Sequence, residues 1–294
     1  MKKLTGTITA IVTPFTKSGE IDIPALKKHV SFQIKNGING LVVCGSTGEA
    51  ATLTLDEYKL VVATVVAEVN KKVLVFAGAG SNDTAKAIQN SQLAKQAGVD
   101  GLLHVTPYYN KPTPSGLLAH FKAIADSVDM SIILYNVPGR TGSNVSAQTT
   151  LTIAKNVPQV IAVKEASGSI TQMMEIIKGK SKDFSVLSGD DSLTLPLIGV
   201  GGDGIISVVA NEIPKEFSDM VYAGLGGDFK TARKLHYAWL DLMNANFIES
   251  NPIPVKTALA LMGKITESFR LPLTPMSEKN RQVLIDVLKK HKLV

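Results

Sequence analysis

Short apolar runs rich in β-branched residues recur along the chain, at 8–12, 40–43, 73–77, 101–105, 131–135, 160–163, 185–187 and 204–208. Each is bounded by turn residues and reads as a strand. Stretches with helical spacing follow them, at 24–35, 56–69, 84–96, 115–127, 147–154, 170–177, 192–200 and 214–224. The strands are apolar almost throughout, as a parallel sheet covered on both faces requires. Eight strands alternating with eight helices, in repeats of about 25–30 residues, predict an α/β fold of the (β/α)8 TIM-barrel type. A doubly wound open sheet is the competing architecture. It needs fewer strands, and no strand here runs into a GxGxxG turn. After Gly226-Gly227 the pattern becomes wholly helical, with helices expected at 228–246, 254–262 and 277–290, the last opening near Ser277. The expected organisation is a catalytic barrel over 1–225 and a C-terminal helical extension over 226–294 packed on it.

Composition narrows the function. The 294 residues are 45% hydrophobic and 19% charged, which fits a folded core and not a disordered chain. Aromatics reach only 5%, little material for stacking on bases, and the net charge of +6 is spread thinly. Its densest cluster, Lys289-Lys290-His291-Lys292, is the solvated end of a helix, so no nucleic-acid partner is expected. No run approaches the roughly 18 apolar residues of a membrane span, so no membrane partner is expected either. Cys44 is the single cysteine, which excludes an internal disulfide and makes the cytoplasm the default compartment. Met1-Lys2-Lys3 imitates the start of a signal peptide, but the TGTITAIVTPF that follows alternates and reads as a strand. The five histidines show no metal-ligand spacing, so no metal is expected.

In a parallel barrel the chemistry collects where strands end. Strand two ends in Cys44-Gly45-Ser46-Thr47-Gly48-Glu49, strand four in Thr106-Pro107-Tyr108-Tyr109-Asn110, and strand five in Tyr135-Asn136-Val137-Pro138-Gly139-Arg140. Strand six ends in Lys164-Glu165-Ala166-Ser167-Gly168 and strand seven in Ser188-Gly189-Asp190-Asp191. Lys164 is the sharpest of these, because it follows Val160-Ile161-Ala162-Val163 on a buried strand. Burying an unpaired ammonium is unfavourable, so its pKa should fall toward neutrality and yield the amine that Schiff-base formation needs. A buried ion pair with Glu165 is the bland alternative, but neighbours on a strand face opposite ways. Ser46 and Thr47 offer hydroxyls and successive N–H groups that could hold a carboxylate, or merely cap the next helix. Tyr135 could shuttle a proton or close the barrel with its ring. Gly78-Ala79-Gly80-Ser81 and Gly201-Gly202-Asp203-Gly204 are glycine-rich turns that read equally as phosphate cradles or as plain turns.

GSTGE after strand two, YNVPGRTG after strand five and VKEASG on strand six form a joint signature. With it, the whole chain resembles the pyruvate-dependent class I aldolases, the superfamily of N-acetylneuraminate lyases and dihydrodipicolinate synthases, and is most similar to the latter. That resemblance implies condensation of pyruvate with aspartate semialdehyde, without a diffusible cofactor, through a covalent imine on Lys164. Tyr135 would move protons, with Ser46 and Tyr109 completing the relay and Tyr109 arriving from a second subunit of a dimer or tetramer. Thr47, the main chain at Ile206, and Gly189 would hold pyruvate, and Arg140 would hold the semialdehyde's carboxylate. Ser46 departs from the threonine usual there: the hydroxyl is kept and a methyl that fixes its rotamer is lost. The resemblance also implies an inhibitor site for free lysine at Ala51, Leu55, Tyr58, Asn82, Lys86 and Tyr108. Sensitive relatives place imidazoles at the positions of Leu55 and Tyr58 and a glutamate at that of Lys86, so the site is expected to be impaired here. A sugar-acid aldolase and a non-catalytic metabolite-binding barrel are the alternatives. Arg140 speaks against the first, since a polyol needs neutral donors.

Overall fold

In the computed structural model, which describes residues 3–294, eight parallel strands close into a barrel in chain order. They are β1 (Gly6–Ala10), β2 (Gly40–Val43), β3 (Leu74–Gly78), β4 (Gly101–Val105), β5 (Ser131–Asn136), β6 (Val160–Glu165), β7 (Ser185–Ser188) and β8 (Gly204–Ser207). β8 closes on β1 with Thr7 opposite Ile205. Around them run α1 (Ile23–Lys35), α2 (Leu55–Val69), α3 (Thr84–Gln96), α4 (Pro114–Val128), α5 (Pro138–Thr141), α6 (Ala147–Asn156), α7 (Ile170–Gly179), α8 (Thr194–Gly199) and α9 (Pro214–Leu225). This is the expected TIM barrel, and three helices follow it: α10 (Phe229–Ala245), α11 (Ile253–Leu261) and α12 (Glu278–Lys290). Among the described residues, no helix is long and apolar enough to cross a membrane.

Alternation along each strand makes two cores. Ile8, Val42, Phe76, Leu103, Ile133 and Leu187 point inward and fill the barrel. Leu41, Val75, Leu102, Ile132, Val163 and Val186 point outward under the helices. On β6 the alternation has a phase break. Ile132 pairs with Val160 but Ile133 pairs with Ala162, so residue 161 is an extra one in the ladder. The break leaves Val163 outside and carries Lys164 inside. Asp22, Thr54, Asp83, Thr113, Ser146 and Ser169 each accept from an N–H of the first turn of the helix that follows. These caps fix helix starts just past the strand ends, where the site lies.

The elements depart from the sequence reading where a side chain takes over backbone hydrogen bonds. β1 starts earlier than expected and stops at Ala10, since Val12 N–H leaves the ladder for Asn211 Oδ1 (3.2 Å). β8 stops at Ser207 because the N–H groups of Val208 and Val209 donate to the Asp191 carboxylate (3.2 and 2.9 Å). α8 starts late because Asp190 Oδ1 accepts from the Ser192 N–H and hydroxyl, both at 2.9 Å, and holds a turn. α5 was not expected at all; with four residues it has no periodicity to read.

The C-terminal helices are not peripheral to the core. Leu242, Met243, Ala258, Leu284 and Leu288 share one apolar cluster with Ile205, Val209 and Phe217 of the barrel. Burying the leucine and methionine side chains contributes about 1.5–3 kcal/mol each, so the extension is firmly seated. Ser277 opens α12 as expected, but its hydroxyl donates to Glu249 (2.7 Å) instead of capping its own helix. That ties α12 to the segment between α10 and α11.

Candidate active site

A cavity of about 430 Å³ opens at the carboxyl ends of the strands, walled by Lys164, Tyr135, Thr47, Ser46, Arg140 and Gly189 among others. Lys164 is 5% exposed, and its Nζ lies 4.3 Å from the centre of the Tyr135 ring. Tyr135 and Lys164 are register partners on β5 and β6, so the ladder itself sets them side by side. Burial lowers the Lys164 pKa to about 8, with Asp191 opposing the shift and Arg140 adding to it. Burial pushes the Tyr135 phenol up to about 12, and Arg140 opposes that. At neutral pH roughly one Lys164 in ten is then a free amine beside a protonated phenol.

Glu165 is not the partner of Lys164. It faces outward, fully buried, and accepts from Asn136 Nδ2 (3.1 and 3.0 Å), Ser167 N–H (2.8 Å) and Gln172 Nε2 (3.1 Å). Asn136 and Glu165 are themselves register partners, so this clamp holds β5 to β6 from outside while Tyr135 and Lys164 face inward.

The loop after β2 is folded on itself. Gly48 N–H donates to Gly45 O and Glu49 N–H to Ser46 O, both at 3.1 Å, and Thr13 Oγ1 donates to Gly48 O (2.7 Å). Among the described residues the N–H groups of Ser46 and Thr47 have no partner, which leaves two adjacent donors of the kind that hold a carboxylate. Gly78 supports this loop by close approach: a Cβ there would lie 2.1 Å from the Cys44 carbonyl oxygen. The glycine turn 78–81 thus serves packing. Cys44 is buried in the same place, and burial pushes its thiol above the usual range, away from nucleophilic use. The turn 201–204 lies at the opposite, amino end of the barrel, where a Cβ on Gly204 would meet Gly6 O at 2.2 Å. Asp203 there accepts from Val186 N–H (2.8 Å) and pairs with Lys180 (3.1 Å). It is a structural turn remote from the cavity.

Two expected residues do not reach the cavity within one chain. Ile206 is packed in the barrel interior with Ile8 and Leu187, and β8 meets the cavity through the adjoining Val208. Tyr109, on the loop after β4, is 88% exposed, with a left-handed backbone (φ 68°). Of the six residues of the expected inhibitor site, Leu55 and Tyr58 lie on α2, Lys86 on α3, and Ala51, Asn82 and Tyr108 on the loops before them or after β4. Leu55 and Tyr108 are 43% and 40% exposed, whereas Tyr58 is buried with its hydroxyl unpartnered.

Asn251 is a cavity residue that the sequence reading missed. Its Nδ2 donates to Thr47 Oγ1 (2.9 Å) and its carbonyl accepts from Arg140 Nη2 (3.1 Å). One residue of the C-terminal extension therefore touches two different walls of the site. A polar Asn-Pro step between two helical stretches is the only signal of it in the sequence.

Fold and cavity together define a TIM-barrel enzyme built around a desolvated amine. The chain matches the model of the Dihydrodipicolinate synthetase family over residues 3–291 and belongs to that family. It is 53% identical to the 4-hydroxy-tetrahydrodipicolinate synthase of Koribacter versatilis over 283 residues, covering 96% of this chain and 94% of the relative. The crystal structure of the Aquifex aeolicus dihydrodipicolinate synthase is 45% identical, with a TM-score of 0.96 over 99% of each chain. That of the Acinetobacter baumannii dihydrodipicolinate synthase complexed with pyruvate is 42% identical, with a TM-score of 0.96 over 99% of each chain.

Proposed function

We propose that this chain is a 4-hydroxy-tetrahydrodipicolinate synthase. It condenses pyruvate with L-aspartate 4-semialdehyde, the first committed step of lysine biosynthesis by the diaminopimelate route. The observation that carries the reading is Lys164: a buried amine at a cavity wall, with a pKa lowered to about 8 by burial. The free amine attacks the keto carbon of pyruvate and water leaves, giving an iminium. The iminium withdraws electrons, so a methyl proton departs and an enamine forms. The enamine carbon attacks the aldehyde, and the substrate's own amine then displaces Lys164, closing the ring and freeing the enzyme. Lysine is the electron sink throughout, and no diffusible cofactor enters.

Each role has a geometric support. The unpartnered N–H groups of Ser46 and Thr47 suit the pyruvate carboxylate. Tyr135, against the Lys164 amine, suits proton transfer at the carbinolamine and aldehyde oxygens. Arg140, exposed at the mouth of the cavity, suits the carboxylate of the incoming semialdehyde, which a guanidinium can grip bidentately. Gly189 leaves room for the Lys164 chain: a Cβ there would lie 3.1 Å from Lys164 Cε. Tyr109 is too exposed to serve its own chain and suits delivery into a neighbour's cavity across a dimer interface, a dimer or tetramer being the proposed assembly. Ile206 would act only through its main chain.

The test is borohydride reduction in the presence of pyruvate, followed by peptide mass mapping, together with a coupled assay using aspartate semialdehyde. A pyruvate adduct on Lys164 and turnover of the semialdehyde are expected. An adduct on another lysine, or full activity in Lys164→Ala, would refute the mechanism. Arg140→Ala should raise KM for the semialdehyde and leave pyruvate trapping intact; equal damage to both would assign Arg140 a structural role.

A further inference from the structure

Glu49 ends the loop that presents Ser46 and Thr47, and it does so in a left-handed conformation (φ 51°) that a residue with a Cβ adopts only when something holds it. What holds it comes from the far end of the chain. Lys256, in α11, pairs with the Glu49 carboxylate, and the exposure of the two side chains is 0% and 1%. Lys256 Nζ also lies 4.2 Å from the centre of the Phe15 ring and 5.3 Å from that of Phe269. The Arg270 N–H donates to the other Glu49 oxygen (3.4 Å). Arg270 itself grips Glu57 of α2 (2.8 and 2.5 Å) and the carbonyl oxygens of Gly19 and Thr52.

A buried ion pair adds little net stability compared with an apolar pair of the same volume, so stability alone does not account for it. What a charge pair supplies and apolar contact does not is a fixed direction and distance. Glu49 stands three positions after Ser46, and the Glu49 N–H already donates to Ser46 O (3.1 Å), so displacement of Glu49 passes directly to the two open N–H donors.

We propose that Glu49 and Lys256 are positioning residues: their ion pair latches the pyruvate-receiving loop to α11 and sets where the Ser46 and Thr47 donors sit relative to Lys164. This rests on the reading that those donors hold pyruvate. Neither residue touches the reacting atoms, and the C-terminal extension thereby becomes part of the site's machinery.

Two variants test it. Glu49→Asp keeps the charge pair but shortens its reach by one methylene. Glu49→Gln combined with Lys256→Met removes both charges together and leaves no orphaned ion. Each is measured for melting temperature, for the pyruvate dependence of borohydride trapping, and for kcat and KM of both substrates. The expected result is folded protein whose trapping needs about tenfold or more pyruvate, a KM-type loss of loop positioning. The pH inflection of trapping should remain where it is in the unsubstituted protein, because Lys164 is not displaced. Folded variants that trap pyruvate with the unsubstituted concentration dependence would overturn the proposal. So would a fall in kcat with pyruvate affinity unchanged, and so would failure of both variants to fold, which would make the pair a folding element. Failure of the parent reading looks different: the unsubstituted protein would then trap no pyruvate on Lys164.

Discussion

Lys164 Nζ lies over the Tyr135 ring, 4.3 Å from its centre, on two strands whose register pairs these residues directly. The amine thus has an aromatic face as its near neighbour, and no carboxylate within salt-bridge distance among the described residues. A cation–π contact stabilises an ammonium only modestly, so burial dominates and the proton is held loosely. The phenol, pushed up to about 12, stays protonated around neutral pH and through the range near 8 where the amine loses its proton. Burial thus favours the uncharged form of both groups, the free amine and the protonated phenol, as the proposed roles of nucleophile and proton donor require.

The pH dependence of imine formation follows. The rate of trapping should rise about tenfold per pH unit at low pH and level off above about 8, where Lys164 becomes a free amine. The Asp191 anion opposes the lowering, so Asp191→Asn should move the inflection to lower pH. Asp191 is itself held up to about 6 by burial, so its influence should appear only above that pH. Trapping rates between about pH 5.5 and 10 in both proteins check this. An inflection near the ordinary lysine value, or one that moves upward in Asp191→Asn, would contradict it.

The same desolvation predicts a stability change. Lys164 is lowered from 10.5 to about 8 on folding, so the unfolded chain binds this proton more tightly. Stability contributed by this group therefore rises as pH climbs from about 8 to 10.5 and is lowest below 8. Lys164→Met, similar in volume and uncharged, should remove a penalty on the order of 3 kcal/mol at pH 7. The inactive variant should melt several degrees higher at pH 7, and the gap should shrink by pH 10. A melting temperature at or below that of the unsubstituted protein would show that Lys164 is stabilised by something other than the environment described.

Much of this was legible before the structure. Lys164 stood out because four apolar residues precede it on a run that had to be buried, and an ionisable group there has few bland explanations. The barrel was legible because strand and helix periods alternate without interruption. What escaped reading was tertiary or very short. α5 has four residues, too few for a period. Asn251 and Lys256 meet the loop after β2 across sequence separations of 204 and 207 residues, and no local pattern encodes such a contact. Lys256 did leave a trace: it is the lone charge in the largely apolar IPVKTALAL of α11, the same kind of signal that marked Lys164. Tyr109 was legible only through resemblance, because its surroundings in one chain are solvent.

Gly189 offers a sharper test of how Lys164 is placed. An alanine Cβ would lie 2.6 Å from Ala166 Cβ and 3.1 Å from Lys164 Cε, and its backbone needs no left-handed conformation. Gly189→Ala should therefore fold, push the lysine chain aside, and slow imine formation by about a hundredfold. Gly189→Ala with Ala166→Gly removes the tighter contact and should recover part of the rate. Comparing trapping rates of the two variants decides; equal rates would mean that the Ala166 contact is irrelevant and the crowding argument wrong.

The last prediction concerns free lysine, which should inhibit this enzyme weakly or not at all. Leu55 carries no hydrogen-bonding group, and Lys86, exposed on the first turns of α3, offers an ammonium where the inhibitor's own ammonium calls for an anion. In solvent, two like charges about 4 Å apart repel by roughly 1 kcal/mol. The larger loss is the missing attraction, and each 1.4 kcal/mol is about tenfold in affinity. Tyr58 does not restore it: its hydroxyl is buried and burial pushes it up beyond the usual phenol range, so it remains neutral. Asn82 and Tyr108 remain as neutral groups that can hold a carboxylate. Half-inhibition should therefore lie well above 1 mM, roughly the scale of a ligand held by about 4 kcal/mol. Lys86→Glu replaces the repulsion with an attraction and should move half-inhibition down by about tenfold or more. Titration of activity against lysine in both proteins provides the check. Sub-millimolar inhibition of the unsubstituted enzyme would refute the charge argument, and so would a Lys86→Glu variant no more sensitive than its parent.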